Sequence, residues 1–353
     1  MKICYLNQTL KANSGAGNFY NSLSSAVKKI IPGVQIEALS SENLLFPNKF
    51  KLLLALPAIR KVLSRCDIIH ALDGWPYGVI AAFANKTLGK PLIITAIGTG
   101  AVQPLYDWKR RWLMKWAYRK ADKVIAVSNN TKKEILKFLP DLKVEVTPHG
   151  VDVAKYQVVS SRYQEQAKKL QPYILSVGSL KKRKGFAYSL EAFAKIAASF
   201  PDLKYVIVGG GPEREALRLQ VGSWKLEDRV IFLSNVHRDY VNALYQNAEL
   251  FMLLPQDDQK DIEGFGLVFL EAAACGLPVI ATKGTSAEDA TRDGVNSILV
   301  PTRSSSEAAE AIVKILSNKN LKKSFSEESL KLASEMTWEK AALLYKNAYY
   351  SIL

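Results

Sequence analysis

Residues 263–281 hold the stretch that decides the fold, EGFGLVFLEAAACGLPVIA. Two carboxylates, Glu263 and Glu271, bracket a Gly-Phe-Gly turn and an apolar run that reads as a helix. The run stops at Gly276-Leu277-Pro278 and continues as a strand. The glycines leave backbone N–H groups open to close approach by a ligand, and a helix start favours an anion. The stretch therefore predicts a site that holds a diphosphate on the backbone and hydroxyls on the carboxylates.

Glu271 decides between two interpretations of this stretch. Acidic residues near a helix start often do no more than complement the helix dipole. Glu271, however, falls among Leu270 and the three alanines Ala272, Ala273 and Ala274, where a buried carboxylate needs a partner. We therefore expect Glu271 to take part in the site.

The Glu-x7-Glu pattern, with Gly-Phe-Gly and Ala-Cys-Gly-x-Pro-Val-Ile-Ala, resembles the retaining GT-B glycosyltransferases of family 4 (glycosyl transferases group 1). The resemblance implies that Glu263 is a catalytic-site residue that contacts the hydroxyls of the donor sugar. It also implies that Glu271 binds the ribose of the nucleotide. The diphosphate is expected on the backbone of Gly264, Phe265, Gly266, Leu267 and Val268.

The composition is that of a globular chain with two domains. There are 353 residues, 48% of them hydrophobic, which suits two domains of ordinary size with sizeable cores. The cysteines Cys4, Cys66 and Cys275 lack metal-ligand spacing and are interpreted as reduced core residues of a cytosolic protein. Met1 leads directly into a strand, so no signal peptide is expected, and no apolar run approaches the ~20 residues that span a bilayer.

The net charge of +15 is unevenly distributed. Residues 1–150 contain 22 Lys and Arg against 9 Asp and Glu, whereas residues 151–353 contain 26 against 24. A basic first half indicates an acidic partner on that side. Anionic lipid, a lipid-diphosphate acceptor and nucleic acid all meet this description.

Strand-like runs alternate with helical patterns along the whole chain, which indicates parallel sheets covered on both faces. The polar stretch 150–172 lacks a clean strand and marks a domain junction. We therefore predict an α/β protein of the GT-B class, with two doubly wound Rossmann-like domains facing a central cleft. The N-terminal, acceptor-side domain covers residues 1–155, and the nucleotide-sugar-binding domain covers 156–336. The resemblance implies that a C-terminal helix, 337–353, packs back on the first domain.

Two glycine-rich loops follow predicted strands. Gly15 and Gly17 lie before a helix expected from about Asn18 to Ile30, an arrangement that can hold a phosphate. Gly209 and Gly210 belong to a turn that ends the strand Lys204–Val208. The resemblance assigns both loops to donor binding, and we expect the second turn to line one rim of the second domain together with Glu263.

A basic loop at residues 181–185, KKRKG, follows another predicted strand. Such charge runs are often solvated, but a lysine at a strand-to-helix turn reaches a phosphate easily. The family pattern is Gly-Arg-Leu-x-x-x-Lys-Gly. Lys184 matches its lysine, which implies contact with the donor diphosphate and a catalytic role. Ser179 replaces the arginine, and Arg183 or Lys182 is expected to compensate.

Ile97 marks the main departure from the family, because many relatives have a histidine there that contacts the donor sugar. The reaction does not require such a group, because the acceptor hydroxyl can lose its proton to the departing diphosphate on the same face. Asp73 is an alternative base by its position alone. His149, in a Pro-His-Gly-Val-Asp segment at the expected hinge, is interpreted as structural. His70 ends a strand, and His237 is a candidate neighbour of the nucleotide base.

The segment 108–120, WKRRWLMKWAYRK, predicts a basic, aromatic helix. The alternative is an ordinary helix with apolar residues inside and cations outside. The charge asymmetry favours membrane contact, and Trp112, Trp116 and Arg119 should share a face. We therefore predict a cytoplasmic protein held peripherally on the inner membrane face by Trp108, Arg110, Arg111, Trp112, Lys115 and Trp116. A second basic-apolar candidate covers residues 46–54.

The resemblance implies a metal-independent, retaining hexosyltransferase without a cofactor, because the nucleotide sugar is a substrate. The predicted donor is a UDP-sugar, and the acceptor is a glycolipid or a surface polysaccharide such as lipopolysaccharide or capsule. Two alternatives stay open: a GT-B-fold nucleotide-sugar epimerase, and a non-catalytic relative that binds nucleic acid or sugar. Nucleic acid is the weaker partner, since the surplus cations avoid the second domain and no binding module is recognised.

Overall fold

The computed structural model describes residues 1–11, 14–45, 49–256 and 261–353. The chain folds as two compact units. The first consists of Met1–Gly150, Gln259–Phe265 and Trp338–Leu353, and the second of Val151–Asp258 and Gly266–Thr337. Each unit is therefore formed by more than one segment of the chain, and each is built around its own parallel sheet.

The first unit contains a six-stranded parallel sheet in the order β2-β1-β3-β4-β5-β6. Its central strands β3 and β4 have the sequences IIHAL and LIITA and are buried throughout, as expected for strands covered on both faces. The strands are β1 Lys2–Leu6, β2 Gln35–Leu39, β3 Ile68–Leu72, β4 Leu92–Ala96, β5 Lys123–Ala126 and β6 Val144–Val146.

Helices connect these strands and begin at side-chain caps. Ser14 Oγ accepts a hydrogen bond from the Gly17 N–H at the start of the first helix, and Asp107 and Ser128 cap two others, which satisfies orphan donors of the first turn. The helices are α1 Gly15–Ile30, α2 Lys49–Leu63, α3 Val79–Asn85, α4 Thr99–Tyr106, α5 Trp108–Lys120 and α6 Asn129–Leu136.

The second unit repeats the architecture with a sheet in the order β12-β11-β10-β7-β8-β9, again parallel. Its strands are β7 Tyr173–Val177, β8 Lys204–Val208, β9 Val230–Leu233, β10 Leu250–Met252, β11 Val279–Thr282 and β12 Ser297–Val300. Its helices are α7 Ala154–Gln157, α8 Ser161–Lys168, α9 Phe186–Ile196, α10 Arg214–Ser223, α11 Arg238–Asn247, α12 Leu267–Ala274, α13 Ser305–Ser317 and α14 Lys319–Glu335. The predicted α/β class with parallel sheets is confirmed.

The last helix, α15 Trp338–Tyr350, belongs to the first unit and packs along α1. Its Tyr349 hydroxyl lies 2.8 Å from the Tyr5 hydroxyl and 2.9 Å from His70 Nδ1, and His70 Nε2 lies 2.7 Å from Thr95 Oγ1. These groups are fully buried. Burial lowers the pKa of His70 to about 3, so His70 is a neutral core residue that joins α15 to three strands.

The strand order reverses beside β1 in the first unit and beside β7 in the second. Ligands of doubly wound sheets bind outside the carboxyl ends of the strands at such reversals. The loops that flank these reversals follow β1 and β3 in the first unit and β7 and β10 in the second, and the loops after β4 and β8 follow the adjacent strands. These loops are the places to look for a site.

Candidate active site

The loop after β7 carries the basic run. Its residues Lys182–Lys184 form a 3-10 turn, and Gly185 opens α9 with φ +67°. A Cβ at Gly185 would overlap the carbonyl oxygen of Leu254, which follows β10. The Gln256 N–H donates to the Arg183 carbonyl at 2.7 Å. Glycine is thus required at 185, because two strand-end loops meet there.

The four cations of this loop differ in their exposure to solvent. Lys181 and Lys182 are exposed, Arg183 is half-buried, and Lys184 is only 7% exposed. The stem of Lys184 lies near the end of β7, since a Cβ at Gly178 would lie 3.7 Å from Lys184 Cε. Lys184 is therefore the cation that this loop turns inward.

The glycine turn after β8 packs against the same loop. A Cβ at Gly209 would overlap the Gly178 carbonyl oxygen, whereas a Cβ at Gly210 would meet nothing within 4 Å. The Leu180 N–H donates to the Gly210 carbonyl at 3.0 Å. The turn thus lets the backbones that follow β7 and β8 approach closely beside Lys184.

Glu271 lies within α12 and is 6% exposed. Its Oε1 accepts a hydrogen bond from Arg238 Nη2 at 2.6 Å, and its Oε2 accepts one from the Tyr245 hydroxyl at 2.9 Å. The Arg238 guanidinium also donates to the Tyr156 hydroxyl and lies 5.5 Å from the centre of that ring. The partner expected for a buried carboxylate is therefore present.

Sequence reasoning missed Arg238. It opens α11 directly after His237, on a helix with no recognisable motif. His237 itself is exposed, caps α11 and stacks on Tyr163 with ring centres 5.6 Å apart. Only the tertiary packing of α11 against α12 brings Arg238 to Glu271, so no local pattern could have found it.

Glu263 and Glu271 belong to different units, although seven residues separate them. Residues 261–265 group with the first unit and Gly266 onward with the second. The segment that carries Glu263 thus connects β10 to α12 of the second unit but packs with the first unit, and the expectation that Glu263 lines the rim of the second domain stays a prediction. The segment packs there through close backbone approaches: a Cβ at Gly264 would overlap the Ile97 carbonyl oxygen, and a Cβ at Gly98 would lie 2.9 Å from Gly264 Cα.

Side chains of the first unit fix the Glu263 segment in place. Thr99 Oγ1 lies 3.0 Å from Asp261 Oδ1 and 3.2 Å from the Ile262 carbonyl, and Thr131 Oγ1 donates to the Gly264 carbonyl at 3.3 Å. Glu263 is buried. On the other side of the turn, Gly266 adopts φ +79° and starts α12, where Leu267 and Val268 are half-buried.

His149 lies in an aromatic cluster in the first unit. Its ring centre is 4.8 Å from that of Phe19, 4.7 Å from Phe265 and 5.7 Å from Trp338. Burial lowers the pKa of His149 to about 3, although the nearby Glu263 carboxylate acts to raise it. Neither ring nitrogen finds a hydrogen-bond partner among the described residues. His149 is thus a neutral ring that packs against the Glu263 segment.

The glycines at the start of α1 differ in their packing. A Cβ at Gly17 would overlap the Lys11 carbonyl oxygen, whereas a Cβ at Gly15 would meet nothing within 4 Å. Ala12 and Asn13 lie outside the described residues. Gly17 is therefore needed for a close turn, and Gly15 leaves the backbone open.

Helix α5 differs in detail from the predicted membrane face. Trp108 and Trp112 are 76% and 64% exposed, whereas Trp116 packs against the core. Arg110 Nε donates to Asp107, Arg111 Nε donates to the Leu105 carbonyl at 2.6 Å, and Lys115 is half-buried. Trp116 therefore does not share an exposed face with Trp112. In the other basic-apolar candidate, residues 46–48 lie outside the described part of the chain.

Within the described ranges, we find no helix of the length and apolar character required to cross a bilayer.

Comparisons with known proteins agree with this architecture. Residues 160–332 match the family model "Glycosyl transferases group 1", and residues 21–155 match "Glycosyltransferase Family 4". The chain is 26% identical over 296 residues to N-acetyl-alpha-D-glucosaminyl L-malate synthase of Bacillus anthracis, which covers 81% of this chain and 75% of the relative.

A second relative is the GDP-mannose-dependent alpha-(1-6)-phosphatidylinositol monomannoside mannosyltransferase of Mycobacterium tuberculosis. It is 30% identical over 202 residues, covering 55% of this chain and 52% of that protein. Among solved structures, Anabaena HepE in complex with UDP and glucose superposes with a TM-score of 0.82 at 21% identity. The match covers 99% of this chain and 100% of that one.

The two parallel-sheet units and these matches define a glycosyltransferase with the GT-B fold. The chain belongs to family 4 of the GT-B glycosyltransferases.

Proposed function

We propose that this enzyme is a metal-independent, retaining hexosyltransferase that moves a sugar from a UDP-sugar to a glycolipid or surface-polysaccharide acceptor at the cytosolic membrane face. Two kinds of relative support the proposal. HepE has been solved with UDP and glucose. The mycobacterial relative is a mannosyltransferase that acts on a phosphatidylinositol monomannoside.

The observation that carries the proposal is the inward-turned Lys184 among bare backbone at the carboxyl ends of β7 and β8. The N–H groups of Gly178, Gly185 and Gly209 already donate to backbone carbonyls, so these glycines serve to let the loops pack closely around this lysine. A lysine held at strand ends is suited to bind phosphate, and a helix start such as that of α12 offers unpaired N–H donors. We assign the donor diphosphate to Lys184, with Arg183 and the backbone of residues 264–268 as further contacts.

The two carboxylates take different parts of the donor in this proposal. Glu271 keeps acceptor capacity beside Arg238 and Tyr245, because a carboxylate offers about four lone-pair sites, and we assign it to the ribose hydroxyls. Glu263 is assigned to the sugar hydroxyls, since its segment is fixed on the backbone of residues 97–99. A fixed carboxylate aligns the reacting carbon, which lowers the barrier to transfer.

Metal independence follows from the same assignment. The leaving diphosphate gains charge in the transition state, and preorganised donors such as Lys184 and N–H groups stabilise that charge. Activity that survives a strong chelator supports this part of the proposal. Loss of activity on chelation, restored by a divalent cation, contradicts it.

The membrane part rests on α5. Trp108 and Trp112 are the exposed aromatic residues, and Lys109, Arg119 and Lys120 are exposed cations of the same helix. Basic residues near an anionic leaflet gain about 1 kcal/mol each. Because Arg110 and Arg111 make intramolecular contacts, the sharper test replaces Trp108 and Trp112 by Ala, and Lys109, Arg119 and Lys120 by Glu.

We expect wild-type protein to bind anionic vesicles in a salt-dependent manner and both variants to bind at least about tenfold more weakly. Equal binding to neutral and anionic vesicles would contradict a membrane role for α5. Leu219→Ala, which removes an exposed apolar side chain of the second unit, is the matched control.

The experiment that tests the function is a screen of UDP- and GDP-sugars for nucleotide release, with and without lipid-linked and polysaccharide acceptors. NMR of the product shows whether the anomeric configuration is retained. Acceptor-dependent release supports transfer. An epimerised sugar formed from the donor alone, with no acceptor requirement, would instead establish an epimerase.

A further inference from the structure

Helix α5 carries two exposed tryptophans and an exposed arginine along one line of its surface. Trp108 and Trp112 are 76% and 64% exposed, and Arg119 near the end of the helix is exposed as well. Residues 108, 112, 115 and 119 follow one another at helical i+4 and i+3 spacing, so they lie on one face of α5. This stripe therefore runs along the helix from its aromatic start to Arg119.

A tight turn after α6 holds an exposed carboxylate. The Leu139 N–H donates to the Ile135 carbonyl at 3.1 Å, which ties the turn to the preceding helix, and the Leu142 N–H donates to the Leu139 carbonyl at 3.1 Å, which closes it. Pro140 occupies the second position of the turn, where the fixed φ of proline is favoured. Asp141 is the third residue and is exposed, so its carboxylate has a defined place at the surface.

A recess of about 80 Å³ lies where this turn meets the end of the α5 stripe. It is lined by Arg119, Leu139, Asp141 and Leu142. Leu139 is buried and Leu142 is half-buried, so the recess combines apolar side chains with one cation and one anion. Sites for drug-sized ligands enclose ~300–1,000 Å³, whereas one water needs only ~10–15 Å³. The recess therefore suits a small charged group and is too small for a nucleotide.

The two charges of the recess do not neutralise each other. In the ranges that the structure describes, neither Arg119 nor Asp141 forms an ion pair or a side-chain hydrogen bond, and the nearby Lys137 pairs with Glu134 instead. A guanidinium can bind a phosphate with two N–H groups, and a carboxylate accepts hydrogen bonds from an ammonium. A ligand that carries a phosphate and a primary ammonium a few atoms apart satisfies both side chains.

We propose that this recess binds the headgroup of an aminophospholipid, with the phosphate on Arg119 and the ammonium on Asp141. The site deepens the membrane part of the proposed function and rests on it. The tryptophans favour a lipid over a free zwitterion, because Trp rings concentrate at the headgroup level of a bilayer. Trp108 and Trp112 belong to the same stripe as Arg119, so a bilayer that contacts the rings also reaches the recess.

Ethanolamine and choline headgroups have the same net charge but differ at the nitrogen. The primary ammonium of ethanolamine donates hydrogen bonds, whereas the choline nitrogen carries three methyl groups and donates none. Asp141 therefore distinguishes them, because a charge-assisted hydrogen bond forms only with ethanolamine. The long-range attraction between the cations of α5 and anionic lipid is equal for both. A preference for ethanolamine lipid at constant vesicle charge is thus the signature of this site.

The test compares vesicles made of equal parts of phosphatidylglycerol and either phosphatidylethanolamine or phosphatidylcholine, with the same acyl chains. The wild type should bind the ethanolamine vesicles about three- to tenfold more tightly. Asp141→Asn should reduce this ratio to about one. Glu145→Gln removes the same charge from another exposed carboxylate of the first unit and should keep the ratio. Arg119→Gln should lower the ratio and also weaken binding to both vesicles, since the phosphate loses its cation.

An ethanolamine preference that persists in Asp141→Asn would belong to bilayer packing and would overturn the site. Equal binding of both vesicles by the wild type would also overturn it, while membrane association itself stands. Calorimetric titration with free phosphoethanolamine separates the two sources of the headgroup: binding as tight as that of the vesicles would replace the lipid by a soluble ligand. If the wild type binds none of these vesicles, the membrane part of the proposed function fails together with this site.

Discussion

The two units differ in the surroundings of their buried ionisable side chains. In the second unit, Glu271 is buried and faces the guanidinium of Arg238 at 2.6 Å, and Lys184 turns inward beside bare backbone. In the first unit, burial lowers the pKa of His70 and of His149 to about 3 and raises the pKa of Asp73 to about 7. The second unit pairs a buried carboxylate with a guanidinium, whereas burial in the first unit shifts the pKa values of His70, His149 and Asp73 toward their uncharged forms.

This difference suits the donor site proposed at the carboxyl edge of the second unit. A diphosphate is charged before, during and after transfer, so the groups that bind it should stay charged. The predictions below test the difference between the two units, from the largest expected effect to the smallest.

Glu263→Ala tests the first unit. We expect transfer to fall at least about 10²-fold, because the sugar loses the contact that aligns its anomeric carbon. The rate of sugar transfer at saturating donor measures the effect, with circular dichroism as the check on folding. A folded variant that keeps wild-type turnover would show that the sugar is bound elsewhere.

Lys184→Ala is the corresponding change in the second unit. It should lower kcat by about 10²-fold and weaken UDP binding less, because the diphosphate gains charge in the transition state. Steady-state kinetics and calorimetric titration with UDP separate the two effects. Lys181→Ala removes an exposed cation of the same loop and should change neither kcat nor the affinity for UDP. An equal loss in both variants would show that the loop acts only through its total positive charge and that Lys184 has no specific contact with the diphosphate.

Arg238→Gln tests whether the ion pair positions Glu271. Removing the partner of a buried carboxylate should raise the donor KM about tenfold, equivalent to about 1.4 kcal/mol, and destabilise the fold by about 1–2 kcal/mol, since Arg238 is half-exposed. Arg292→Gln breaks a more exposed pair with Glu335 and should cost at most about 1 kcal/mol. An unchanged donor KM in Arg238→Gln would show that Glu271 needs no positioning.

His149→Phe tests the uncharged state of the first unit through stability. Folded His149 has a pKa of about 3, against about 6.5 when unfolded, so the unfolded chain binds the extra proton between these values. The contribution of neutral His149 to the free energy of unfolding is fully present above pH 6.5. It decreases by about 1.4 kcal/mol for each pH unit below that value. The variant should lose less stability between pH 6 and 4.5 in urea unfolding, while it keeps the ring stacking. An unchanged pH dependence would show that folded His149 binds the proton as readily as the unfolded chain.

Much of the fold could be predicted because its signals are local. Buried parallel strands appear as short apolar runs, as in residues 68–72 and 92–96, and glycines mark the turns that follow them. Element ends were less predictable. Helix α1 was expected from about Asn18 but begins at Gly15, because the Ser14 side chain caps it by accepting from Gly17.

The candidate site could be predicted only where its residues lie close together in the sequence and form a motif. Glu263, Glu271, Lys184 and the glycine turns were all recognised from motifs, and their assigned roles remain predictions. Arg238 could not be recognised, because its partner lies 33 residues away. The exposure of the tryptophans in 108–120 was also misjudged: the helical period places Trp116 beside Trp112, but packing of α5 against the core covers Trp116.

The sequence by itself determined the α/β class, the parallel sheets and the family, because periodicity, glycine turns and the Glu-x7-Glu motif are properties of neighbouring residues. Only the tertiary structure decided which unit holds Glu263, which cation of the basic loop turns inward, and which groups hold Glu271. Those outcomes depend on burial and on backbone approaches between distant segments, such as Gly264 against Ile97. Burial and such contacts set the charge state of each side chain. Neither can be inferred from the order of residues along the chain.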